Sequence, residues 1–567
     1  MNNNLFKLSI ISAAILTATH VSAALYNVVE VVPSTSLSYE SSFGEAIQPA
    51  ATNSAADNCF VTSTIEGDGV DCSSYVLAGE TRIAKLNAGG EVDGLSFREE
   101  APFAMDSSFY YIQDYSDFDN YCEAQLGYST CEQWATVRWD IWESEIDGDT
   151  TPNSIAFIED ESGNVSSVDS TESLNVVVNS ISDSGTVIGI DSTAGDVTDY
   201  RRNSVEARTE GTAPSGYLQT RAWKTDGTYT VGSVSTSYEN DYGTFYTSNP
   251  AIWDNDSGTV VEIPWPSGTA RKSNRLAQGS IRDFVVDQDT NMIYAVGFNA
   301  YNSSYNYMNA TVFSVSVDDY QTDTAWTSTA VNNAQVKIDG ETIHSNSVVT
   351  SVNNNLIAIG SAKRLGSKPY NGAAANRLFI IDDVTAASPT AIYLSGGIVF
   401  SGSGGKAGAI NNYNEIVGQL DFDDTREIDG KPRAKRGFIY PYDSTGSDST
   451  RMERFGNKAW FLDDLTNDNE ATSNNNQYRI IDATDINDAG VISGTALKCS
   501  GGYETTAHNS SCNGDESTVA VKLVPIVDSS VTDISERGSD AQTSKRSGAG
   551  LGLWGFILLG LAWFRRK

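Results

Sequence analysis

The chain has 567 residues, enough for one large or two medium domains, and 73 acidic against 37 basic residues give it a formal net charge of -36. Such a surface repels nucleic acid and anionic lipid headgroups, so no nucleic-acid partner is expected. There are three histidines, His20, His344 and His508, which excludes a histidine-rich metal site.

The first 23 residues read as a secretory signal. Lys7 is the lone positive charge, Leu8–Ala18 is mostly apolar, and Val21-Ser22-Ala23 offers small residues at the −3 and −1 positions. Cleavage between Ala23 and Ala24 is expected, with the Sec translocon and signal peptidase as partners. Tyr26–Val32 reads as a buried strand. From Leu37 to Phe97, strand-like pieces are broken by Gly and Asp, with Cys59 and Cys72 in a loop. About residues 99–150 the turn signals thin out, and Trp134, Trp139 and Trp142 recur at helical intervals. Asp117 is placed as the cap of a helix through Leu126, stopped by Gly127, and Cys131–Trp142 as a second helix. A Cys122–Cys131 bridge would staple the two into a small helical insertion. The remaining cysteines are Cys499 and Cys512. Six cysteines in three close pairs behind an export signal imply local disulfides rather than zinc.

Residues 174–523 carry a recurring frame. It reads ISDSGTVIG at Ile181–Gly189, VNNNLIAIG at Val352–Gly360, INNYNEIVG at Ile410–Gly418 and INDAGVISG at Ile486–Gly494. Asn and Asp bond their own backbone, Gly accepts positive φ, and the β-branched residues that follow suit a strand, so each frame is a hairpin. Its terminal glycine marks a close backbone approach. Leu356 stands where other copies have Gly or Asn, so that copy is expected to turn differently. A second element pairs a small or aliphatic residue with an aromatic, as in Ala156-Phe157, Ala222-Trp223, Ile252-Trp253, Leu378-Phe379, Gly437-Phe438 and Ala459-Trp460. Two hairpins per unit make a four-stranded sheet. Gly297, Gly360, Gly418 and Gly494 lie 63, 58 and 76 residues apart, and the 108 residues from Gly189 to Gly297 hold two units. The fold class is therefore all-β: a β-propeller of about six to eight four-stranded blades over residues 24–528. Val519–Ile526 is the last strand, placed to close the ring with the N-terminal one. Residues 529–546 read as a flexible polar linker.

These paired motifs resemble the HAF-type extracellular repeats. The whole chain is similar in length and end signals to a gammaproteobacterial surface-protein family of unknown function. The tail, residues 547–567, has Ser547, Gly548 and Gly550, then apolar Leu551–Phe564, then Arg565, Arg566 and Lys567. The positive end stays cytoplasmic. This tripartite signal resembles the GlyGly-CTERM class. The resemblance implies cleavage near the glycines by a rhomboid-type sorting protease (rhombosortase), often with type II secretion. The alternative is an uncleaved single-span transmembrane helix, for which an apolar run of 14 residues is short against about 20. Either way the protein is exported, to the cell surface, outer membrane or exterior.

No catalytic residues and no metal ligands are assigned. His344 and His508 read as surface residues, and neither neighbourhood is a nucleophile elbow. Glycine-rich residues 399–408 lack the phosphate-loop pattern. Ser182–Thr186 and Asp256–Thr259 resemble part of the sialidase Asp-box, itself a structural turn. No cofactor is expected; the oxygen-rich stretches Asp147–Asp149 and Asp421–Asp424 are the calcium candidates, though neither has the spacing of an EF-hand loop. The leading function is binding, of a glycan, an envelope component or a partner protein, more than enzyme activity. The alternative is a secreted hydrolase using a carboxylate pair in the central funnel.

Overall fold

The structure is a computed structural model that describes residues 24–35, 37–50, 58–65, 70–83, 114–121, 123, 131–132, 135–136, 139–140, 143, 147, 151–152, 154–168, 173–194, 203–240, 243–266, 277–301, 308–338, 341–344, 347–363, 371, 376–425 and 433–540. Seven antiparallel sheets follow one another around an axis. Blade 1 comprises Ser41–Ile47, Leu77–Arg82, Ala156–Glu159 and Val165–Ser167. Blade 2 has three described strands, Ser173–Ile181, Val187–Ala194 and Asn203–Arg208. Blade 3 is Gln219–Thr225, Tyr229–Asn240, Gly243–Asp254 and Val260–Glu262. Blade 4 is Ser280–Asp287, Met292–Ala300, Met308–Ser316 and Thr327–Ala330. Blade 5 is Val348–Val352, Ala358–Lys363, Asn376–Ile381 and Ile392–Tyr393. Blade 6 is Gly405–Ile410, Glu415–Asp421, Lys435–Pro441 and Trp460–Phe461. Blade 7 is Tyr478–Ile486, Ile492–Cys499 and Glu516–Pro525, completed by Tyr26–Glu30.

Ring closure is thus made by the N-terminal strand, which runs antiparallel to the last strand from Tyr26↔Pro525 to Glu30↔Val521. Apolar side chains fill the spaces between blades rather than one central core. Val285, Val296, Val349 and Phe379 pack between blades 4 and 5, for example, and Ile480, Ile492, Val417 and Ile439 between 6 and 7. The hydrophobic driving force therefore holds each blade to its neighbours.

Each sequence frame is the hairpin between the first and second strands of a blade. Its terminal glycine faces the first strand where that strand bulges. The position recurs in every blade as Gly79, Gly189, Gly232, Gly297, Gly360, Gly418 and Gly494. A Cβ at any of the seven would lie 1.9–2.4 Å from a carbonyl oxygen of the first strand, closer than real Cβ atoms come. Leu356 does not turn differently. It takes φ +63° in the same turn as Asn414 and Gly490, and its N–H donates to the Asn353 carbonyl. Asn353 Oδ1 accepts from the Asn355 and Ile357 N–H groups, and this side-chain clamp offsets the strain of a left-handed leucine. The small–aromatic pairs are not one repeated element either. Phe157, Trp253, Phe379 and Phe438 lie in third strands, but Trp223 is in a first strand and Trp460 in a fourth.

The Cys59–Cys72 and Cys499–Cys512 disulfides are formed. Cys131 is also disulfide-bonded, while Cys122 lies outside the described residues. Within the insertion a helix spans Tyr115–Tyr121, starting before Asp117, and residues 131, 132, 135, 136, 139, 140 and 143 are helical. Phe118 meets Trp139 edge-on; Trp134 and Trp142 lie outside the described residues.

Residues 529–540 are not a free linker. They are strapped to residues 454–467, on either side of the last strand of blade 6, and to the Cys499–Cys512 loop. The Asn467 amide donates to the Ser535 carbonyl (2.9 Å), the His508 N–H to the Gly538 carbonyl (3.0 Å), and Asp540 exchanges bonds with Asn509 and accepts from the Thr505 hydroxyl. Ala23 and the whole tail from Ser547 to Lys567 lie outside the described residues; Ala24 is buried. Among the described residues no helix is long and apolar enough to cross a membrane.

Candidate axial binding site

The bulge in each first strand re-aims the residue that follows it, two positions after the partner of the frame glycine. One such residue comes from each blade: Ala46, Ser180, Lys224, Asp283, Ser351, Ala409 and Asp485. Together they form a ring around the axis. Ala46 and Ala409 only fill space. Ser180 donates to the Trp223 carbonyl of blade 3 (2.7 Å). The two acids clasp adjacent blades. Asp283 Oδ2 accepts from Ser351 Oγ (2.8 Å) and the Val352 N–H (3.0 Å) of blade 5, and its Oδ1 from Phe284 N–H. Asp485 Oδ2 accepts from the Ile47 N–H of blade 1 (3.1 Å), and its Oδ1 from Ile486 N–H.

Lys224 differs from every other member. Among the described residues its side chain makes no hydrogen bond or ion pair within contact distance, and it is half-buried. Burial disfavours its charge, but the fields of Asp485, Asp283, Asp183 and Asp488 outweigh burial and hold the ammonium above its ordinary pKa. Asp485 leads among these carboxylates. It belongs to blade 7, three blades round the ring from blade 3. Asp283 and Asp485 are both pushed above the usual carboxylate range, first by burial, and each is partly restored by Lys224.

A ladder of amides surrounds the same mouth. Asn353 Nδ2 donates to the Asn411 carbonyl (2.8 Å), Asn411 Nδ2 to the Asn487 carbonyl (3.1 Å), Asn487 Nδ2 to the Gln48 carbonyl (3.0 Å), and Gln48 Nε2 to the Asp183 carbonyl (3.1 Å). The first Asn of the frame therefore does two jobs. Its Oδ1 closes its own turn and its Nδ2 ties the next blade. The ladder runs from blade 5 through 6, 7 and 1 to blade 2. At blades 3 and 4 the turns are Thr225-Asp226-Gly227 and Asp287–Asn291, which do not join it. That sector carries Lys224 and Asp283, and beside them Arg282 stacked 3.5 Å over the Trp223 ring.

Two further polar clusters lie away from the axis. Arg451, on the helix Ser449–Arg454, binds Glu415 bidentately (Nε–Oε1 2.7 Å, Nη2–Oε2 2.9 Å) with both side chains buried. Its guanidinium also stacks over Phe60 and Tyr413, and Glu415 receives the Asn411 amide. The second cluster corrects the placing of His508 on the surface: it is only 5% exposed. Its Nε2 lies 3.2 Å from Asp464 Oδ1 and its Nδ1 3.4 Å from Asp463 Oδ2, with the ring against Phe422 and Phe461. Burial lowers the imidazole pKa, but the bonds to Asp463 and Asp464 raise it more. Asp463 is in turn held well below the usual carboxylate range: burial raises it, but His508, Arg436 and Arg537 outweigh that. His344 ends a short strand, and its side chain lies outside the described residues.

Among the described residues, no group of three or more His, Cys, Asp and Glu is arranged to hold a metal ion. Asp421 is committed to Arg433 (3.1 Å), Lys435 and the Gly404 N–H, and Asp423 caps its own turn through Thr425. Of Asp147–Asp149 only Asp147 is described.

The fold and the ring define a seven-bladed β-propeller whose waist is polar on one side. The chain belongs to the family described as "Protein of unknown function (DUF3466)", which matches residues 245–567. The match begins inside the third strand of blade 3, so Lys224 precedes it while Asp283 and Asp485 fall within it. No curated protein matches the sequence. Similar solved structures include the tricorn protease, at 9% identity and TM-score 0.30, over 61% of this chain and 31% of that chain. Another is Penicillium chrysogenum alpha-L-arabinanase complexed with arabinobiose, at 12% identity and TM-score 0.27, over 51% of this chain and 86% of that one. A third is polysaccharide lyase Uly1, at 11% identity and TM-score 0.27, over 55% and 70%. The likeness is one of fold alone.

Proposed function

We propose that the protein works by binding, as an exported propeller presented at the cell surface or released from it. Its ligand is a glycan, an envelope component or a partner protein. One observation carries this reading. The waist ring varies from blade to blade on a constant scaffold, and its lysine has no direct protein partner among the described residues. The carboxylate-hydrolase alternative fits less well. Asp283 and Asp485 each have both oxygens engaged by N–H or O–H groups, mostly of neighbouring blades, so they serve as clasps. A pull-down with the mature protein that recovers neither glycan nor protein would sink the binding reading. Turnover of a glycan that is abolished by Asp283→Asn or Asp485→Asn would establish the alternative.

Export through the Sec translocon with cleavage at Ala23/Ala24 belongs to the same proposal, as does removal of the tail by a rhomboid-type protease, with type II secretion as the outward route. Mass spectrometry of surface material should find a C-terminus lacking Leu551–Lys567; an intact tail would overturn that part.

A further inference from the structure

The waist ring also restricts what the ligand can be. We infer that the axial site takes a neutral, polyhydroxylated ligand, the end or edge of an uncharged oligosaccharide, with Lys224 as the residue that selects it. This rests on the binding reading above.

Donors, acceptors and charge together restrict the ligand. Lys224 brings three N–H donors to the ring through its place after the bulge, and no protein acceptor among the described residues takes them at contact distance. Asp283 and Asp485 present acceptors, because a carboxylate oxygen has two lone-pair sites and the clasp bonds leave some unused. A site with donors and acceptors on facing walls matches vicinal hydroxyls, which both give and receive.

Charge removes the other classes. One lysine against two aspartates leaves the ring at -1; Asp183 and Asp488 at the turns above, with Arg282 beside Lys224, bring the local sum to -2 (two positive against four negative charges). A polyanion, such as a uronic-acid polymer, must approach through that field and through the protein's overall charge of -36. A polyamine or divalent cation is drawn by the field of the carboxylates but is opposed by the Lys224 ammonium, a member of the same ring. A neutral polyol pays neither penalty. Lys224 then exchanges through-space attraction for direct hydrogen bonds, and the carboxylates keep it charged while it does so.

The experiment uses the full chain, processed by its host and purified from envelope or medium. Calorimetric titration would compare neutral oligosaccharides (cello-, xylo- and manno-series), oligogalacturonate and spermine at 50 and 300 mM NaCl. The inference expects binding of at least one neutral series, with affinity changing less than about two-fold across that salt range, as for an uncharged ligand. Lys224→Met should weaken it about ten-fold or more. The wild-type chain gives a second readout that needs no folded variant: reductive methylation of Lys224, followed by peptide mass spectrometry, should slow when the sugar is bound.

Tight, salt-sensitive binding of oligogalacturonate or spermine would overturn the ligand class. Neutral binding unchanged in Lys224→Met, with no protection of Lys224, would overturn the site and leave the binding reading standing. Capture of a protein partner with no sugar bound would also remove the ligand class but not that reading. Hydrolysis of the sugar would remove the binding reading itself.

Discussion

The seven glycines give the sharpest test of the architecture, and Gly297→Ala is the cleanest of them. A Cβ there would lie 2.1 Å from the Ser280 carbonyl oxygen, 2.9 Å from the Ile281 Cα and 3.0 Å from the Ser280 carbonyl carbon. All three atoms are backbone, so no side chain can swing away. Restoring about 3 Å of clearance means moving one strand by roughly 0.9 Å, against the pairing of Gly297 with Ile281 at one edge and Thr311 at the other. Overpacking of this kind costs about 1–3 kcal/mol. The reduced freedom of the unfolded chain returns about 0.4–1 kcal/mol, leaving a net loss of roughly 1–2 kcal/mol. Gly538→Ala is the control, since nothing lies within 4 Å of its Cβ position. Urea unfolding followed by tryptophan fluorescence should show a lower midpoint with unchanged slope for Gly297→Ala only. If Gly297→Ala unfolds at the same urea concentration as Gly538→Ala, the close approach is not what fixes glycine at this position.

Glu415→Gln should cost about 3–5 kcal/mol, because it leaves the buried Arg451 guanidinium uncompensated, whereas replacing both residues by leucine should cost much less. Equal thermal losses for the single and double variants would contradict this. His508 has its folded pKa raised above the ordinary 6.5, so its stabilisation is full below that value and fades as pH rises through the folded one. His508→Gln should therefore flatten the stability profile above pH 6.5, and an unchanged profile would show that the imidazolium is not what the two aspartates hold. Deleting Tyr26–Glu30 strips the outer strand from blade 7 and should abolish cooperative unfolding, measured by calorimetry; a sharp transition in the truncated chain would mean that the ring closes without it.

The scaffold was largely legible because it repeats. The turn chemistry of Asn487, Asp488 and Gly490, and the bare strand position at Gly494, read the same in one copy as in four. The 108-residue gap after Gly189 does contain the extra blade, marked by Gly232. What stayed hidden were copies whose turns have drifted. Gly79 and Gly232 occupy the same place but lack the Ile-Asn lead-in, so only strand pairing reveals them. At Leu356, the propensity of that one residue predicts a different turn from the one the chain makes. The Asn353 side chain, three positions earlier, overrides it.

The waist ring was half-visible. In four blades its member stands immediately before the frame: Ser180, Ser351, Ala409 and Asp485. Each looked like an ordinary strand residue because nothing in the sequence announces a bulge. In blade 3 no frame flags Lys224, and its convergence with Asp485 joins positions 261 residues apart (485 − 224), through ring geometry alone. His508 was misplaced for a related reason. A histidine in a polar, disulfide-closed loop looks solvated, and only the folded chain brings Asp463, Asp464 and the strap around Arg537 over it. The frame's asparagines show how scaffold and function separate here. Asn353, Asn411 and Asn487 are spent on the ladder, so they bind neighbouring blades and not a ligand. The sector where that ladder lapses is the one in which the proposed ligand site falls.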